Sequence, residues 1–388
     1  LNPDIPKNAY ALRTGSGCLT YEDIVKKAKA WNSTFRNKTI ILQTDNTELF
    51  LEILLAAEGV ARAIVIVSPQ QSVDYISEVA NEVSADFFIT SRKKTSLHHE
   101  AKSSEKGINA QEKTQWFLST SGTTGKPKLV RHTLDSLVRT TKMKAVTSPQ
   151  QKWGLLYEAS RFAGLQVVLQ SFFSGAELVV PNPDSPLQDK LEFLRLHECS
   201  FLSATPSMWR KILMMSQAKQ LPLKQITLGG EISDQTVLSN LENTYPDARI
   251  THIFASTEAG VGFSVKDNKA GFPDSFLTQP PNGIPMKIHN NCLWIYNPDV
   301  AIAKGSSDDF KDGWVNTGDL VEKNGDRVYF LGRESGMINI GGDKIAPEQI
   351  ERIILSHKQV MFARVYTRPN PILGSLIVAD IVVSEATN

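Results

Sequence analysis

The sequence has few of the features that mark secreted or nucleic-acid-binding proteins. Its three cysteines, Cys18, Cys199 and Cys292, stand far apart and form neither a CxxC pair nor an even-numbered disulfide framework. We therefore expect a reducing compartment, the cytoplasm. The 42 Lys+Arg residues are balanced by 41 Asp+Glu residues. This balance disfavours a nucleic-acid partner, because neutralising many phosphates needs a basic excess.

Long hydrophobic runs are also absent. The longest charge-free stretch near the middle of the chain, residues 162–176, is interrupted by Gln166, Gln170 and Ser171. It falls short of the ~18 apolar residues that a membrane span needs, so no span is expected. The first residues form neither a basic nor an apolar signal region, and no secretory leader is expected. Leu1 stands where an initiator Met would, so the natural chain is expected to begin upstream.

What is present is a hydrophobic content of 41% in a chain of 388 residues, enough for two or three domains with a sizeable core. From Thr20 to about Tyr245, short β-branched runs alternate with longer amphipathic stretches. A capping box at Thr20 and Asp23 predicts the start of a helix. Six mostly apolar runs are typical of strands covered on both faces: 39–43, 63–67, 87–90, 177–180, 201–204 and 225–228. Repeated βα units predict an α/β fold with a large N-terminal domain of doubly wound, mostly parallel sheets.

The pattern of residue types changes after Gly260. Pro, Gly and Asn punctuate short alternating runs at 292–296 and 327–331, which predicts a small antiparallel β subdomain over about residues 260–332. Beyond it, a helix with Pro at its first turn is predicted at 347–356, followed by apolar strand runs at 362–366 and 376–383. Together they predict a small α+β portion at the C-terminus. The polar residues 92–112 show no periodicity and are predicted to form a surface loop.

The densest chemical signal is the run Ser-Thr-Ser-Gly-Thr-Thr-Gly-Lys-Pro-Lys at residues 119–128, directly after an apolar strand run at 116–118. Five hydroxyls, two glycines and two lysines can surround phosphate oxygens with hydrogen-bond donors. It is not a Walker A loop, since Pro127 follows Lys126 and two residues separate the glycines. The alternative is a Ser/Gly-rich surface turn. The predicted polyphosphate-binding residues are Thr120, Ser121, Gly122, Thr123, Thr124, Gly125 and Lys128.

This run resembles the signature loop of the adenylate-forming superfamily, which includes acyl- and aryl-CoA synthetases, nonribosomal peptide adenylation domains and luciferase. Four further segments agree with the family in order and spacing, and the resemblance runs from about Leu19 to the end of the chain. The segments are Gly229-Gly230-Glu231; Phe254-Ala255-Ser256-Thr257-Glu258; Asn316-Thr317-Gly318-Asp319-Leu320; and Gly332-Arg333 leading through Ile338 and Gly341-Gly342 to Lys344-Ile345 and Glu348 to Glu351.

The resemblance implies a role for each segment. Phe254 would stack on adenine, and Asp319 and Arg333 would bind the ribose hydroxyls. Thr257 would donate its hydroxyl to the α-phosphate, and Glu258 would hold Mg²⁺ through a carboxylate oxygen. Each short motif alone is more often structural, but their joint occurrence favours a nucleotide site. The implied nucleotide-binding residues also include Gly230, Glu231 and Ala255, and the implied catalytic residues are Lys128, Thr257, Glu258 and Arg333.

Residues 153–157 and 160–165 fall where the family has its acyl-pocket gate. Arg161 stands near the position of a histidine common in the CoA ligases. It either faces the pocket and pairs with a substrate carboxylate or hydroxyl, or it faces solvent at the start of an amphipathic helix. The implied pocket residues are Arg161, Phe162, Thr205 and Gly230. Nearby aromatic residues favour an aryl or medium-chain acyl acid, although they would serve a core equally well.

The C-terminal portion departs from the family pattern. Glu334-Ser335-Gly336 occupies the hinge where the family usually has Asp or Lys, and the late Gly-Lys segment with the catalytic lysine is absent. Lys344 and Lys358 do not match that motif. We therefore predict an AMP-binding domain at 1–332 and a hinge with an incomplete C-terminal domain at 333–388, from a truncated or a naturally short chain. If the natural chain ends here, adenylation should be slow and thioester formation less affected.

The function that the resemblance implies is an AMP-forming acid–thiol ligase. With ATP and Mg²⁺ it would convert a small carboxylic acid into an acyl-adenylate and pass the acyl group to CoA. The stretch Gly341-Gly342-Asp343-Lys344 looks more like that of CoA ligases than that of peptide synthetases. Two alternatives remain: an enzyme that loads the phosphopantetheine arm of an acyl carrier protein, and a degenerate nucleotide-binding member that acts with a partner protein.

Overall fold

A computed structural model describes residues 5–90, 93–96, 113–120, 128–141, 150–298, 301–302, 310–340, 343–357, 359–370 and 374–383. The strands are β1 (Tyr10–Thr14), β2 (Gly17–Thr20), β3 (Thr39–Gln43), β4 (Ala63–Val67), β5 (Phe87–Thr90), β6 (Lys93–Ser96), β7 (Gln115–Thr120), β8 (Lys128–Thr133), β9 (Lys152–Leu155), β10 (Glu177–Val179), β11 (Phe201–Ala204), β12 (Gln225–Gly229), β13 (Arg249–Ser256), β14 (Gly260–Val265), β15 (Phe272–Pro273), β16 (Met286–His289), β17 (Cys292–Tyr296), β18 (Ala301–Ile302), β19 (Phe310–Lys311), β20 (Trp314–Asn324), β21 (Arg327–Arg333), β22 (Ile338–Ile340), β23 (Asp343–Ile345), β24 (Val360–Asn370) and β25 (Gly374–Val383). The α-helices are α1 (Tyr21–Lys29), α2 (Asn32–Phe35), α3 (Thr47–Ala57), α4 (Val73–Val83), α5 (Leu134–Val138), α6 (Phe162–Phe173), α7 (Leu187–Leu196), α8 (Pro206–Leu213), α9 (Gln235–Thr244) and α10 (Pro347–Leu355). Short 3-10 turns lie at Ala218–Gln220, Asp274–Leu277, Pro281–Gly283 and Glu334–Gly336.

The chain divides into two compact units. The first comprises Leu1–Ser203 and Asp299–Gly305, and the second comprises Ala204–Pro298 and Ser306–Asn388. The predicted boundary between residues 332 and 333 falls inside the second unit. That boundary concerns a functional division of the chain, and it stays a prediction.

The first unit contains parallel sheet structure in two groups of strands. One sheet has the order β18-β8-β7-β4-β3-β5-β6, in which β7, β4, β3 and β5 run parallel and the outer strands pair antiparallel. The other group has the order β11-β9-β10-β1, all parallel, with β2 antiparallel at its edge. Every residue of β4 is buried, as expected for a strand covered on both faces. The α/β fold class is confirmed.

Local sequence signals explain where several helices begin. Thr20 caps α1: its side chain accepts from the Asp23 N–H, and the Asp23 carboxylate accepts from the Thr20 N–H at 2.9 Å. The predicted capping box is therefore confirmed. Helix α1 buries Tyr21, Ile24 and Ala28, and the Tyr21 hydroxyl donates to the Ala176 carbonyl at 2.8 Å. This bond ties the start of α1 to the loop before β10.

The second unit combines a parallel pair, an antiparallel sheet and the C-terminal segment. Strands β12 and β13 are parallel, and β14 pairs antiparallel with β13. The antiparallel sheet has the order β15-β21-β20-β17-β16, with β19 also paired to β20. Phe272, Leu293 and Val328 of this sheet form one buried cluster with Phe263 of β14. Farther along the chain, β22–β23 and β24–β25 form antiparallel hairpins, and α10 packs against β24 and β21. The predicted antiparallel β region is confirmed.

The prediction of a loop over 92–112 is wrong at its start. Residues Lys93–Ser96 form β6, which pairs antiparallel with β5 at the edge of its sheet. An edge strand needs no apolar alternation, and lysines are common there because they discourage further pairing. Residues 97–112 lie outside the described part of the chain. Within the described residues, no helix is long and apolar enough to cross a membrane.

All three cysteines are free. Cys18 is exposed, whereas Cys199 and Cys292 are buried. Burial raises the pKa of the Cys199 thiol to about 12. Burial also raises the pKa of Cys292, and the nearby Glu334 carboxylate raises it further.

Candidate active site

Asp319 is held by a turn within β20. Gly318 has a φ of +69°, a left-handed conformation that favours glycine. The Asp319 N–H donates to Thr317 Oγ1 at 3.2 Å, and the Thr317 hydroxyl donates to the Leu293 carbonyl at 2.8 Å. The Thr-Gly-Asp sequence thus fixes the direction in which the Asp319 carboxylate leaves the backbone.

Arg333 stands opposite Asp319 across β20 and β21, and the two side chains interact. Arg333 Nε donates to Asp319 Oδ1 at 3.1 Å. Asp319 is only 9% exposed, and its Oδ2 is buried without a hydrogen-bond partner among the described residues. Burial raises the pKa of Asp319, while Arg333 opposes the shift and Glu258 adds to it. An unpaired buried carboxylate oxygen is costly, so this atom is suited to receive a donor from a ligand hydroxyl.

Phe254 lies in β13 within a group of aromatic rings. Its ring is nearly parallel to that of Phe330, with centroids 5.1 Å apart and an interplanar angle of 3°, and to that of Phe263 at 5.3 Å and 14°. Phe272 and Phe276 extend the group. Phe254 remains partly exposed. Its orientation is therefore fixed by its aromatic neighbours.

Thr257 and Glu258 lie on the turn between β13 and β14. The Ala259 N–H donates to Ser256 Oγ at 2.9 Å, and Asn297 Nδ2 donates to the Ala259 carbonyl at 2.9 Å. Asn297 is 2% exposed and was not singled out from the sequence. The available signal was a polar residue directly after the strand run at 292–296. These bonds fix the turn, and Glu258 comes close enough to raise the pKa of Asp319.

Gly230 and Thr205 lie next to each other. Gly230 has a φ of +82°, and a Cβ added there would lie 3.7 Å from Thr205 Cγ2. Thr205 caps α8, since its Oγ1 accepts from the Met208 N–H at 3.2 Å. The Glu231 carboxylate accepts from the Ser207 N–H at 2.8 Å, in the first turn of α8. A carboxylate is favourable at a helix N-terminus, so Glu231 has a structural task here.

The remaining candidate residues belong to the first unit. Thr120 and Lys128 pair across β7 and β8, which closes the base of the predicted phosphate loop. Its candidate residues Ser121, Gly122, Thr123, Thr124 and Gly125 lie outside the described part of the chain.

Arg161 precedes α6 and forms an ion pair with Glu158 at 3.5 Å, with its side chain 40% exposed. Phe162 begins the helix, and its ring lies 6.1 Å from that of the buried His132. His132 was not recognised from the sequence, because a single histidine in an apolar strand carries no distinguishing signal. Gly164 is required here, since a Cβ would lie 2.0 Å from the Glu158 carbonyl oxygen.

The carboxylates near the site could hold a magnesium ion only if nucleotide phosphates supplied further ligands. Among the described residues, no three His, Cys, Asp or Glu side chains form a group that could hold a metal by themselves. Mg²⁺ bound with phosphates commonly takes one or two protein carboxylates. Glu258, on its fixed turn near Asp319, fits that role.

Comparison with known proteins shows which class this chain resembles. Residues 109–292 match the model of the AMP-binding enzyme family. The resemblance to the adenylate-forming enzymes is thereby confirmed.

The individual relatives share less than a third of their aligned residues with this chain. A 2-succinylbenzoate–CoA ligase from Listeria monocytogenes serotype 4b is 27% identical over 295 residues, covering 69% of this chain and 59% of the relative. Surfactin synthase subunit 2 from Bacillus subtilis is 23% identical over 406 residues, covering 89% of this chain and 11% of that protein. The chain spans about three fifths of the length of the 2-succinylbenzoate–CoA ligases that it matches.

Two solved structures show the same fold. An o-succinylbenzoate CoA synthetase from Bacillus subtilis, in complex with its acyl-adenylate intermediate, aligns with a TM-score of 0.71 at 19% identity, covering 98% of this chain and 87% of that chain. The anthranilate CoA ligase AuaEII in complex with anthranoyl-AMP aligns with a TM-score of 0.78 at 15% identity, covering 99% of this chain and 87% of that chain. The fold is therefore that of the adenylate-forming enzymes.

Proposed function

We propose that this chain is an ATP-dependent acid–thiol ligase. It activates a small carboxylic acid as an acyl-adenylate with release of pyrophosphate, and then transfers the acyl group to CoA with release of AMP. One observation carries the proposal: the buried Asp319 carboxylate has one oxygen bound to Arg333 and the other without a partner among the described residues. Together with the partly exposed Phe254, it offers an acceptor for ribose and a flat surface for adenine.

The proposed chemistry assigns each residue a task in the first step. A carboxylate oxygen of the acid attacks the α-phosphorus in line with the departing pyrophosphate. Lys128 offsets charge on the phosphates, and the Thr257 hydroxyl donates to the α-phosphate. Mg²⁺ held by Glu258 would neutralise phosphate charge. Asp319 and Arg333 hold the ribose and thereby fix the position of the reacting phosphate.

We propose an aryl carboxylic acid as the substrate class. The relatives above are named for 2-succinylbenzoate and anthranilate, both aryl acids. Thr205 and Gly230 would contribute the small surfaces of the acid pocket, with Phe162 as an aromatic wall. Arg161 has five N–H donors, and its pair with Glu158 leaves donors for a second acidic group on the substrate.

The domain proposal follows the same resemblance. Residues 1–332 would form the AMP-binding domain, and residues 333–388 a hinge and an incomplete C-terminal domain. The 3-10 turn at Glu334–Gly336 directly follows Arg333, which supports a hinge at this point. We place the enzyme in the cytoplasm, which its three free thiols support.

The test is ATP–pyrophosphate exchange with a panel of aryl and alkyl carboxylic acids, followed by AMP and thioester formation with CoA. We expect acid-dependent exchange that is strongest with an aryl acid. ATP binding by calorimetry without exchange for any acid would reject the enzyme assignment and leave the degenerate nucleotide-binding alternative.

A carrier protein remains the second candidate acceptor. The match to surfactin synthase subunit 2 over 89% of this chain favours keeping it. CoA and a phosphopantetheine-loaded carrier protein should be supplied separately to the enzyme and its acyl-adenylate. If a thioester formed on the carrier protein and not on CoA, the carrier protein would be the acceptor.

A further inference from the structure

A cavity of about 360 Å³ opens within the second unit, between α8, α9, the end of α10 and the start of β24. None of the candidate active-site residues lines it. The volume lies within the ~300 to 1,000 Å³ of typical small-molecule pockets. A ligand of modest size would therefore fit there.

Arg210 gives the cavity its chemical character. Its side chain is only 7% exposed and pairs with Asp234. The other Asp234 oxygen accepts from the Thr236 and Val237 N–H groups at the start of α9, at 2.9 and 3.2 Å. Asp234 is thus fully engaged and holds the guanidinium in place. Among the described residues, no further hydrogen bond uses the remaining Arg210 donors, although a guanidinium has five.

The rest of the lining is divided between polar and apolar groups. Thr236 and Asn240 of α9 are polar, whereas Met214, Val360 and Met361 present apolar surface. A fixed guanidinium matches a carboxylate in shape and charge, and the methionines adapt to a hydrocarbon body. We propose that this cavity binds a small organic carboxylate with a short hydrocarbon body, at a site separate from the acid that is activated.

Such a ligand would touch both sides of an internal contact. Arg210 and Met214 come from α8 and the residue after it, and Val360 and Met361 begin β24, which follows α10. A molecule that contacts both sides stabilises the arrangement in which they face each other. The site would therefore let a free carboxylate influence the packing of the C-terminal segment.

The test uses protein labelled with ¹³C in the methionine methyl groups and titrated with hexanoate. We expect saturable shifts of the Met214 and Met361 signals, while the signal of Met286, buried in the antiparallel sheet, stays in place. Hexanol and inorganic phosphate should each bind at least about tenfold more weakly than hexanoate. Hexanol lacks the carboxylate that pairs with Arg210, and phosphate lacks the hydrocarbon body. Equal shifts with hexanol would show that the cavity binds only the hydrocarbon body and does not recognise the carboxylate. The absence of any shift with hexanoate would overturn the proposal.

Three variants locate the site. Met361→Trp fills the cavity. Arg210→Lys keeps the positive charge but removes the planar guanidinium that pairs with a carboxylate through two N–H groups. Each variant should weaken hexanoate binding at least about tenfold. Ile353→Trp, at a residue of α10 that is 70% exposed and outside the lining, should bind within about twofold of the wild type. An unchanged Met286 signal confirms folding of each variant. Wild-type hexanoate binding by both Met361→Trp and Arg210→Lys would reject this location. The readout is independent of turnover, so the proposed ligase activity can fail without affecting it.

Discussion

Glu258 lies on a turn whose backbone is held by Ser256 and Asn297. We expect Glu258→Gln to reduce pyrophosphate exchange by about 100-fold or more, since the charge proposed to bind Mg²⁺ is lost without a change in size. Circular dichroism should show an intact fold. The matched control is Glu22→Gln, at an exposed glutamate in the first turn of α1, which should exchange at the wild-type rate. Wild-type exchange by Glu258→Gln would exclude the magnesium assignment.

Asp319 should make nucleotide binding depend on pH. Burial raises its pKa, so protonation begins at a higher pH than for an ordinary aspartate. The ionised carboxylate is the better acceptor for ribose hydroxyls, so AMP affinity should fall as the pH falls, starting above the usual range near ~4. Calorimetric titrations with AMP from about pH 5 to 8 measure this.

Two variants define the origin of that dependence. Asp319→Asn should weaken AMP binding about tenfold or more near neutral pH, because a charged hydrogen bond is worth roughly 1.5 to 3 kcal/mol. The AMP affinity of this variant should also no longer fall as the pH falls, because asparagine does not titrate. Arg333→Met removes the group that lowers the pKa of Asp319, so its affinity should begin to fall at a still higher pH. The same pH profile in Asp319→Asn and wild type would mean that another group titrates.

At the scale of elements, the contact of β21 with the start of α10 depends on Gly332. Its φ is +145°, and a Cβ would lie 2.6 Å from Glu348 Oε2 and 2.7 Å from Ala346 Cβ. We expect Gly332→Ala to destabilise the second unit by roughly 1 to 3 kcal/mol, through backbone strain and steric overlap together.

Gly325→Ala separates these two causes. Gly325 also has a positive φ, of +62°, but an added Cβ would meet nothing within 4 Å. This control should therefore cost only the strain, about 1 kcal/mol. Urea unfolding measures both variants. Equal losses for Gly332→Ala and Gly325→Ala would show that the packing against Glu348 and Ala346 contributes nothing.

The sequence predicted elements best where local pattern and burial agree. The strands at 39–43, 63–67 and 292–296 were predicted with their observed bounds, because their apolar runs end at turn residues. Strand β6 was missed because its partner, rather than its own side chains, makes it a strand. Asn297 and the Arg161–Glu158 pair were missed because they depend on contacts made only in the folded chain. The Asp319 turn was found through its motif, whereas the unpartnered oxygen is visible only in three dimensions.

At the scale of the whole molecule, residues far apart in the sequence are proposed to bind different parts of the nucleotide. Lys128 is proposed to bind phosphates, whereas Asp319 is proposed to bind ribose. We expect Lys128→Ala to weaken ATP about tenfold and AMP less than about threefold, since phosphate charge is its main partner. Asp319→Ala should weaken both nucleotides by a similar factor. Calorimetry with ATP and AMP gives all four ratios, and an equal loss of both nucleotides in Lys128→Ala would contradict the phosphate role.

The distribution of thiols has a practical consequence for labelling the protein. The thiolate is the form that reacts with maleimides, so burial and a raised pKa protect Cys199 and Cys292, while Cys18 on β2 is exposed. The unmodified protein therefore carries one addressable attachment point for a fluorophore, on its first unit. A single engineered cysteine on the second unit is then sufficient for energy-transfer measurements between the two units during turnover, without removing any native residue.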